Sequence, residues 1–277
     1  MLDISRFVLA AAGSEPVSNG GSEEVQHELP NIITILNEYV FHGTSVGDFL
    51  HHWENVIFSF GIALFLIVIA RLAARNPQMI PSGLQNVVEL VVESLENFIV
   101  GVIGPEGRRF VPFLGTLFLY ILFMNWAGLI PGFKASTASV NQTIALALTV
   151  FVYVQFVAFK ENGIKGYFDH MAGQPRNALQ WAFVPLMLPI HLIGELAKPL
   201  SLSLRLFGNV TGEDILILIF VGLGVTIMSF SHLPIGIPLQ LPFMFLALLT
   251  STIQALVFML LSTIYFAMML PHAEEDH

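Results

Sequence analysis

From Ile215 to Ala273 the chain carries no Asp, Glu, Lys or Arg, and its one break is HLPIGIPLQLP at 232–242. Backbone groups in hydrocarbon must bond to one another, which a helix achieves within a single segment. Prolines and a glycine in the break end a helix. About 20 apolar residues cross a ~30 Å hydrocarbon core. The stretch therefore folds as a hairpin of two long apolar helices. Composition extends this to the whole chain: of 277 residues, 55% are hydrophobic and 11% charged, against about 25% charged in soluble domains. The expected class is an all-α integral membrane protein.

Five transmembrane spans account for the pattern, at about 53–72, 110–132, 139–160, 185–230 and 241–270. Residues 82–103 differ: Glu89, Glu93 and Glu96 recur at helical spacing opposite Val87, Leu90, Val91, Leu95 and Ile99. That pattern is an amphipathic helix for the membrane surface. Residues 1–50 read as a polar extracytoplasmic segment and 272–277 as a cytoplasmic tail, flanking a channel domain at 51–271. FVLAAAGS near the start is a weak signal-peptide lookalike, since Asp3 sits where positive charge is expected. With the N-terminus outside, Arg71, Arg75, Arg108, Arg109, Lys160, Lys165 and Arg176 all fall in the cytoplasm, obeying the positive-inside rule. The net charge of −9 is an average, because eight of the twenty acids lie in the first 54 residues.

Ionisable residues inside a span are expensive and functional by default. His191, Glu195, Lys198, Arg205, Asn209, Glu213 and Asp214 crowd into one region of the fourth span. At about 100° per residue, all but Asp214 fall within about 40° of one line. Such a seam meets a partner or water rather than lipid. The segment from Pro189 to Phe230 would be about 60 Å long as a helix. It must kink at Pro199, re-enter, or lie steeply tilted.

GELAKPLSLSLRLFGN (Gly194 to Asn209) closely resembles the signature of the a subunit of F-type ATP synthases, the stator channel subunit of the Fo sector. NWAGLIPG (Asn125 to Gly132), NQTIALAL (Asn141 to Leu148) and STIQALVFMLLSTIYFAMM (Ser251 to Met269) resemble further family segments, in the family's order. The resemblance implies one span and a surface helix, then a two-helix hairpin, then two long, strongly tilted helices beside a rotating ring of c subunits. It implies a multi-pass protein of the bacterial inner membrane, with the c ring, peripheral-stalk b subunits and the rest of the ATP synthase as partners. Lipid surrounds it; nucleic acid, metal and cofactor are not expected.

The resemblance also implies roles. Arg205 would face an ion-carrying carboxylate on each passing c subunit. Asn209 and Gln254 would lie beside it near the access path, and Glu213 or Asp214 would relay ions in the outer half-channel. Counting from the arginine favours Asp214, whereas the polar seam favours Glu213. His191 and Glu195 could line the inner half-channel; Lys198, beside Pro199, is expected to snorkel to the surface, and His232 reads as turn chemistry. Two departures stand out: Ala247 occupies a position where some members carry a histidine, and Ser139 one where an aspartate is common.

No bond-making chemistry is expected on this chain. Cysteine is absent, and neither GxxxxGK[ST] nor HExxH occurs, so a nucleotide would sit on another subunit. The transported ion is H⁺ or Na⁺. The alternatives are a self-contained secondary transporter with a midplane polar site, against which stands the lack of an internal repeat, and a purely structural anchor.

Overall fold

A computed structural model of the protein describes residues 45–75, 78–130, 132–173, 178–230 and 238–270. Most of the polar leading segment, the turn around His232 and the tail at 272–277 lie outside the described residues. Among the described residues every regular element is helical: α1 (Ser45–His52), α2 (Glu54–Ala73), α3 (Leu84–Ile103), α4 (Val111–Ala127), α5 (Val140–Met171), α6 (Ala178–Phe230) and α7 (Leu241–Met269), with 3₁₀ turns at Pro105–Phe110 and Ser136–Ala138. Five helical stretches are long and apolar enough to cross a membrane: Glu54–Ala73, Pro105–Ala127, Val140–Asp169, Val184–Gly224 and Leu241–Met269. The all-α membrane class expected from composition is the one found.

Local chemistry explains where the elements break. Gly104, at φ 95°, ends α3 and carries its N–H back to the Val100 carbonyl; only glycine takes that conformation readily. α5 continues past the expected end near residue 160 to Met171, but it is broken at Gly163, where φ is 66° and ψ 170°. α6 runs 53 residues, about 80 Å, through Pro185, Pro189 and Pro199 as one element.

The chain divides into two compact units. One takes α2 as far as Gly61, then Leu122–Ala138 and Gly208–Ile253. Here Glu54 at the start of α2 forms a buried ion pair with Lys134, 3.3 Å long. Phe58 lies against Phe133, and the Phe220 and Phe243 rings stack at 3.7 Å. The other unit takes Ile62–Ile121, Ser139–Phe207 and the chain from Gln254. Its core is aromatic: the Phe110 and Phe266 rings are 4.7 Å apart, and Tyr153 meets Phe113 edge-on at 4.6 Å. In lipid, burial of apolar surface gives little, so such packing and interhelical hydrogen bonds hold the helices. Asn162 supplies one, donating to the Met269 carbonyl at 2.8 Å at the end of α7, where intrahelical donors run out. Leu95 and Ile99 are the buried face of α3, whose Glu89 and Glu93 are exposed. Glu96 of α3 pairs with Arg108 at 2.6 Å, and Arg109 with Glu161 at 2.7 Å.

Gly128 gives the first prediction. A Cβ there would stand 2.5 Å from Ala135 Cβ and 3.1 Å from its backbone nitrogen. Gly128→Ala should destabilise the protein by about 1–3 kcal/mol, seen as an earlier thermal unfolding midpoint in detergent. Gly101→Ala, where an added Cβ meets nothing within 4 Å, should leave that midpoint unchanged or raise it slightly.

Candidate functional site

Each unit holds its own polar cluster. In the unit that contains Phe207, the centre is Glu195, half-buried on α6. Its carboxylate forms an ion pair with Lys198 one turn on, and it accepts a hydrogen bond from Gln155 Nε2 of α5 at 3.2 Å. Gln155 Oε1 in turn accepts the Tyr167 hydroxyl proton at 2.8 Å. The Lys198 ammonium also lies 5.2 Å from the centre of the Tyr265 ring on α7, within cation–π range. Lys198 thus turns inward onto Glu195 rather than snorkelling to the surface. A proline at 199 has no N–H for the carbonyl of Glu195, so α6 is locally underbonded beside this pair. A small cavity bounded by Val154, Glu195, Lys198, Leu202 and Tyr265 opens at the same place.

Two turns along α6, Leu202, Ser203 and Leu206 are buried, whereas Leu204 and Arg205 are exposed. The guanidinium therefore stands on the uncovered side of a helix long and apolar enough to span a bilayer. Gln254, in the same unit on α7, is buried. His191 is exposed, and a Cβ built on Gly173 would lie 3.9 Å from its Cε1.

The second cluster belongs to the unit that contains Gly208. Glu213 accepts hydrogen bonds from two hydroxyls of α7: Thr250 Oγ1 to one carboxylate oxygen at 2.5 Å, and Ser251 Oγ to the other at 2.7 Å. The Ser251 carbonyl accepts from Asn125 Nδ2 at 3.4 Å, and Asn125 Oδ1 accepts the Thr137 hydroxyl at 2.7 Å. Asn125, Thr137 and Ser251 are all buried. Trp126 Nε1 donates to Thr252 at 3.1 Å. Asp214 is half-buried and Asn209 exposed. Ala247 of α7 is buried. Among the described residues no group of His, Cys, Asp and Glu is placed to hold a metal ion.

Gln155, Tyr167, Thr250, Ser251 and Thr137 were not among the residues singled out from sequence. Gln155 had a visible signal, as a glutamine midway along an apolar span. The hydroxyls had none, because serine and threonine in apolar helices commonly bond their own backbone, as Thr250 also does to Leu246.

A multi-span helical protein that carries an uncovered guanidinium and two separately bonded carboxylates on its spanning helices belongs to the class that handles charge within the bilayer. Comparison with known proteins narrows the class. The profile of the family described as ATP synthase A chain matches residues 56–267. The chain is 50% identical over 238 residues to ATP synthase subunit a of Protochlamydia amoebophila, covering 86% of this chain and 88% of that protein. It is 43% identical over 238 residues to ATP synthase subunit a of Solidesulfovibrio magneticus, covering 86% and 90%. It is 39% identical over 229 residues to that of Syntrophobacter fumaroxidans, covering 83% and 89%. The chain belongs to the ATP synthase A chain family.

The Glu195–Lys198 pair gives the second prediction. Both side chains are mostly buried, 12% and 17% exposed. Lys198→Met leaves a carboxylate without its counter-charge and should destabilise by about 3–5 kcal/mol. Lys198→Met combined with Glu195→Leu should recover most of that loss. A double-mutant cycle on thermal stability in detergent measures both.

Proposed function

We propose that this chain is the ion-conducting stator subunit of the membrane sector of a rotary ATP synthase. It works against a ring of c subunits, with peripheral-stalk b subunits holding it still. The observation that carries the reading is Arg205, exposed on a spanning helix of a chain in this family. A permanent charge at that depth is tolerable only beside water or an opposite charge. A carboxylate arriving on a neighbouring ring supplies one.

The physics of the encounter is simple. Desolvation keeps a carboxyl on a lipid-facing ring protonated. Beside a fixed guanidinium it gives up its proton, since at 4 Å and an effective dielectric near 20 the attraction is about 4 kcal/mol. That holds the carboxylate in passing without trapping it. Arginine suits the task because it stays charged where lysine could neutralise. The same charge blocks a direct proton leak between the two sides.

The two polar clusters support two separate access paths. Glu213, with Thr250, Ser251, Asn209 and Asp214, serves the outer half-channel. Glu213, tied to α7 by two hydroxyl bonds, is the relaying acid in this reading. Glu195 and His191 serve the inner half-channel, and Gln254 supports Arg205. An ion enters from outside, neutralises a ring carboxylate, rides nearly a full turn, and leaves on the inner side. A membrane potential adds ~2.3 kcal/mol per charge per 100 mV over the whole path. In this reading α6 and α7 lie steeply along the ring, the N-terminus is extracytoplasmic and the C-terminus cytoplasmic. Nucleotide chemistry is on other subunits.

The exposure of α6 agrees with a partner on that face. Leu196, Leu200, Leu204 and Arg205 are all exposed along it. At Gly194, Gly208 and Gly212 an added Cβ would meet nothing within 4 Å, and small residues let another helix approach closely.

The test is Arg205→Ala in the whole complex. The complex should assemble with a normal subunit inventory, and ATP-driven acidification of inverted membrane vesicles should disappear. Coupled pumping at more than about a tenth of the wild-type rate, a loss of under about 1.4 kcal/mol, would contradict the role. Solute uptake by the isolated chain would point to a transporter instead.

A further inference from the structure

Tyr167 and Gln155 are 12 residues apart in α5, yet their side chains share a 2.8 Å hydrogen bond. On an unbroken helix they would be separated by about 18 Å along the axis, beyond the reach of a phenol. The break at Gly163 removes that obstacle. Its φ of 66° and ψ of 170° lie where residues with a Cβ are strained. Beyond it the chain brings Tyr167 against Phe159, ring centres 4.1 Å apart.

The hydrogen-bond directions are fixed by chemistry. An ionised carboxylate only accepts, so the Gln155 NH₂ must face Glu195. That leaves Gln155 Oε1 for Tyr167, whose hydroxyl must donate. The Glu195 carboxylate is then held from two sides: one oxygen by Lys198 of its own helix, the other by Gln155 of α5. The Tyr265 ring of α7 lies 5.2 Å from the Lys198 ammonium of the same group. Among the described residues, the ionisable groups near Glu195 are Lys198 one turn on, His191 one turn earlier on α6, Tyr167 through Gln155, and Tyr265, whose ring lies against Lys198. A neutral side chain tied at both ends sets orientation without contributing a proton of its own.

We infer that Gln155 and Tyr167, brought together by the break at Gly163, position the Glu195 carboxylate and thereby govern ion exit on the inner side. The inference rests on the reading of Glu195 as part of the inner half-channel. Gln155 and Tyr167 are positioning residues: they act through Glu195 and need not touch the moving ion.

The experiment uses the intact complex in liposomes, with ATP synthesis driven by an imposed potential and the pH of each face varied independently. Rates are expressed relative to wild type at each pH. Gln155→Leu removes both bonds; Tyr167→Phe removes only the hydroxyl and keeps the ring on Phe159. Gln155→Leu should slow coupled synthesis about ten-fold, the weight of one hydrogen bond to a charged group. Tyr167→Phe should slow it less. In both variants the relative rate should depend on inner-face pH and not on outer-face pH, which a general loss of packing would not produce. Glu195→Gln is the reference. If it is impaired while Gln155→Leu and Tyr167→Phe match wild type at every pH, this inference fails and the reading of Glu195 stands. If Glu195→Gln itself is unimpaired, both fail. Should Gln155→Leu not assemble, Tyr167→Phe alone decides.

Discussion

A charge that cannot be neutralised, held on a helix made to cross lipid, is the constraint on which the rest of this protein depends. Arg205 stands on the open side of α6, with Leu202, Ser203 and Leu206 packed behind it. Lipid does not satisfy a bare charge; in the proposed function a carboxylate on a neighbouring ring does. A helix that must present a charge to a neighbour has to leave that face bare.

The two carboxylates obey a different rule. Glu195 and Glu213 each sit among donors from other positions, Glu195 with Lys198 and Gln155, Glu213 with Thr250 and Ser251. A half-buried carboxylate without such donors would carry a desolvation penalty of several kcal/mol. The donors differ in kind: a cation and an amide for one, two hydroxyls for the other. An ion pair holds its carboxylate electrostatically, whereas hydroxyls can rotate and exchange roles as donor and acceptor. In the proposed function, that contrast suits two sites that exchange an ion with different sides of the membrane.

Much of the architecture was legible from sequence because membrane rules are strict. Charge-free runs define the spanning helices with little ambiguity, although α6 passes through three prolines as one element, and the amphipathic period of α3 is plain in Glu89, Glu93 and Glu96. The polar seam on α6 was legible for the same reason, since each charge in lipid is conspicuous. What lay beyond sequence was pairing. Periodicity put His191, Glu195, Lys198, Arg205, Asn209 and Glu213 on one line, but it could not say that Glu195 would close onto Lys198 while Glu213 turned to α7. Thr250 and Ser251 look like ordinary helix hydroxyls until a partner helix brings a carboxylate to them. Tyr167 reached Gln155 only because the helix breaks at Gly163, and a lone glycine in a helical pattern does not announce a break.

The central claim is that the Arg205 guanidinium faces a moving carboxylate on another subunit, and a map of the assembled membrane sector at side-chain resolution tests it most directly. The account predicts the guanidinium on the ring side of α6, within about 4–6 Å of a ring carboxylate or separated from it by a single water. A guanidinium folded back onto its own chain and paired with Glu195, with no ring carboxylate at its level, would contradict the account.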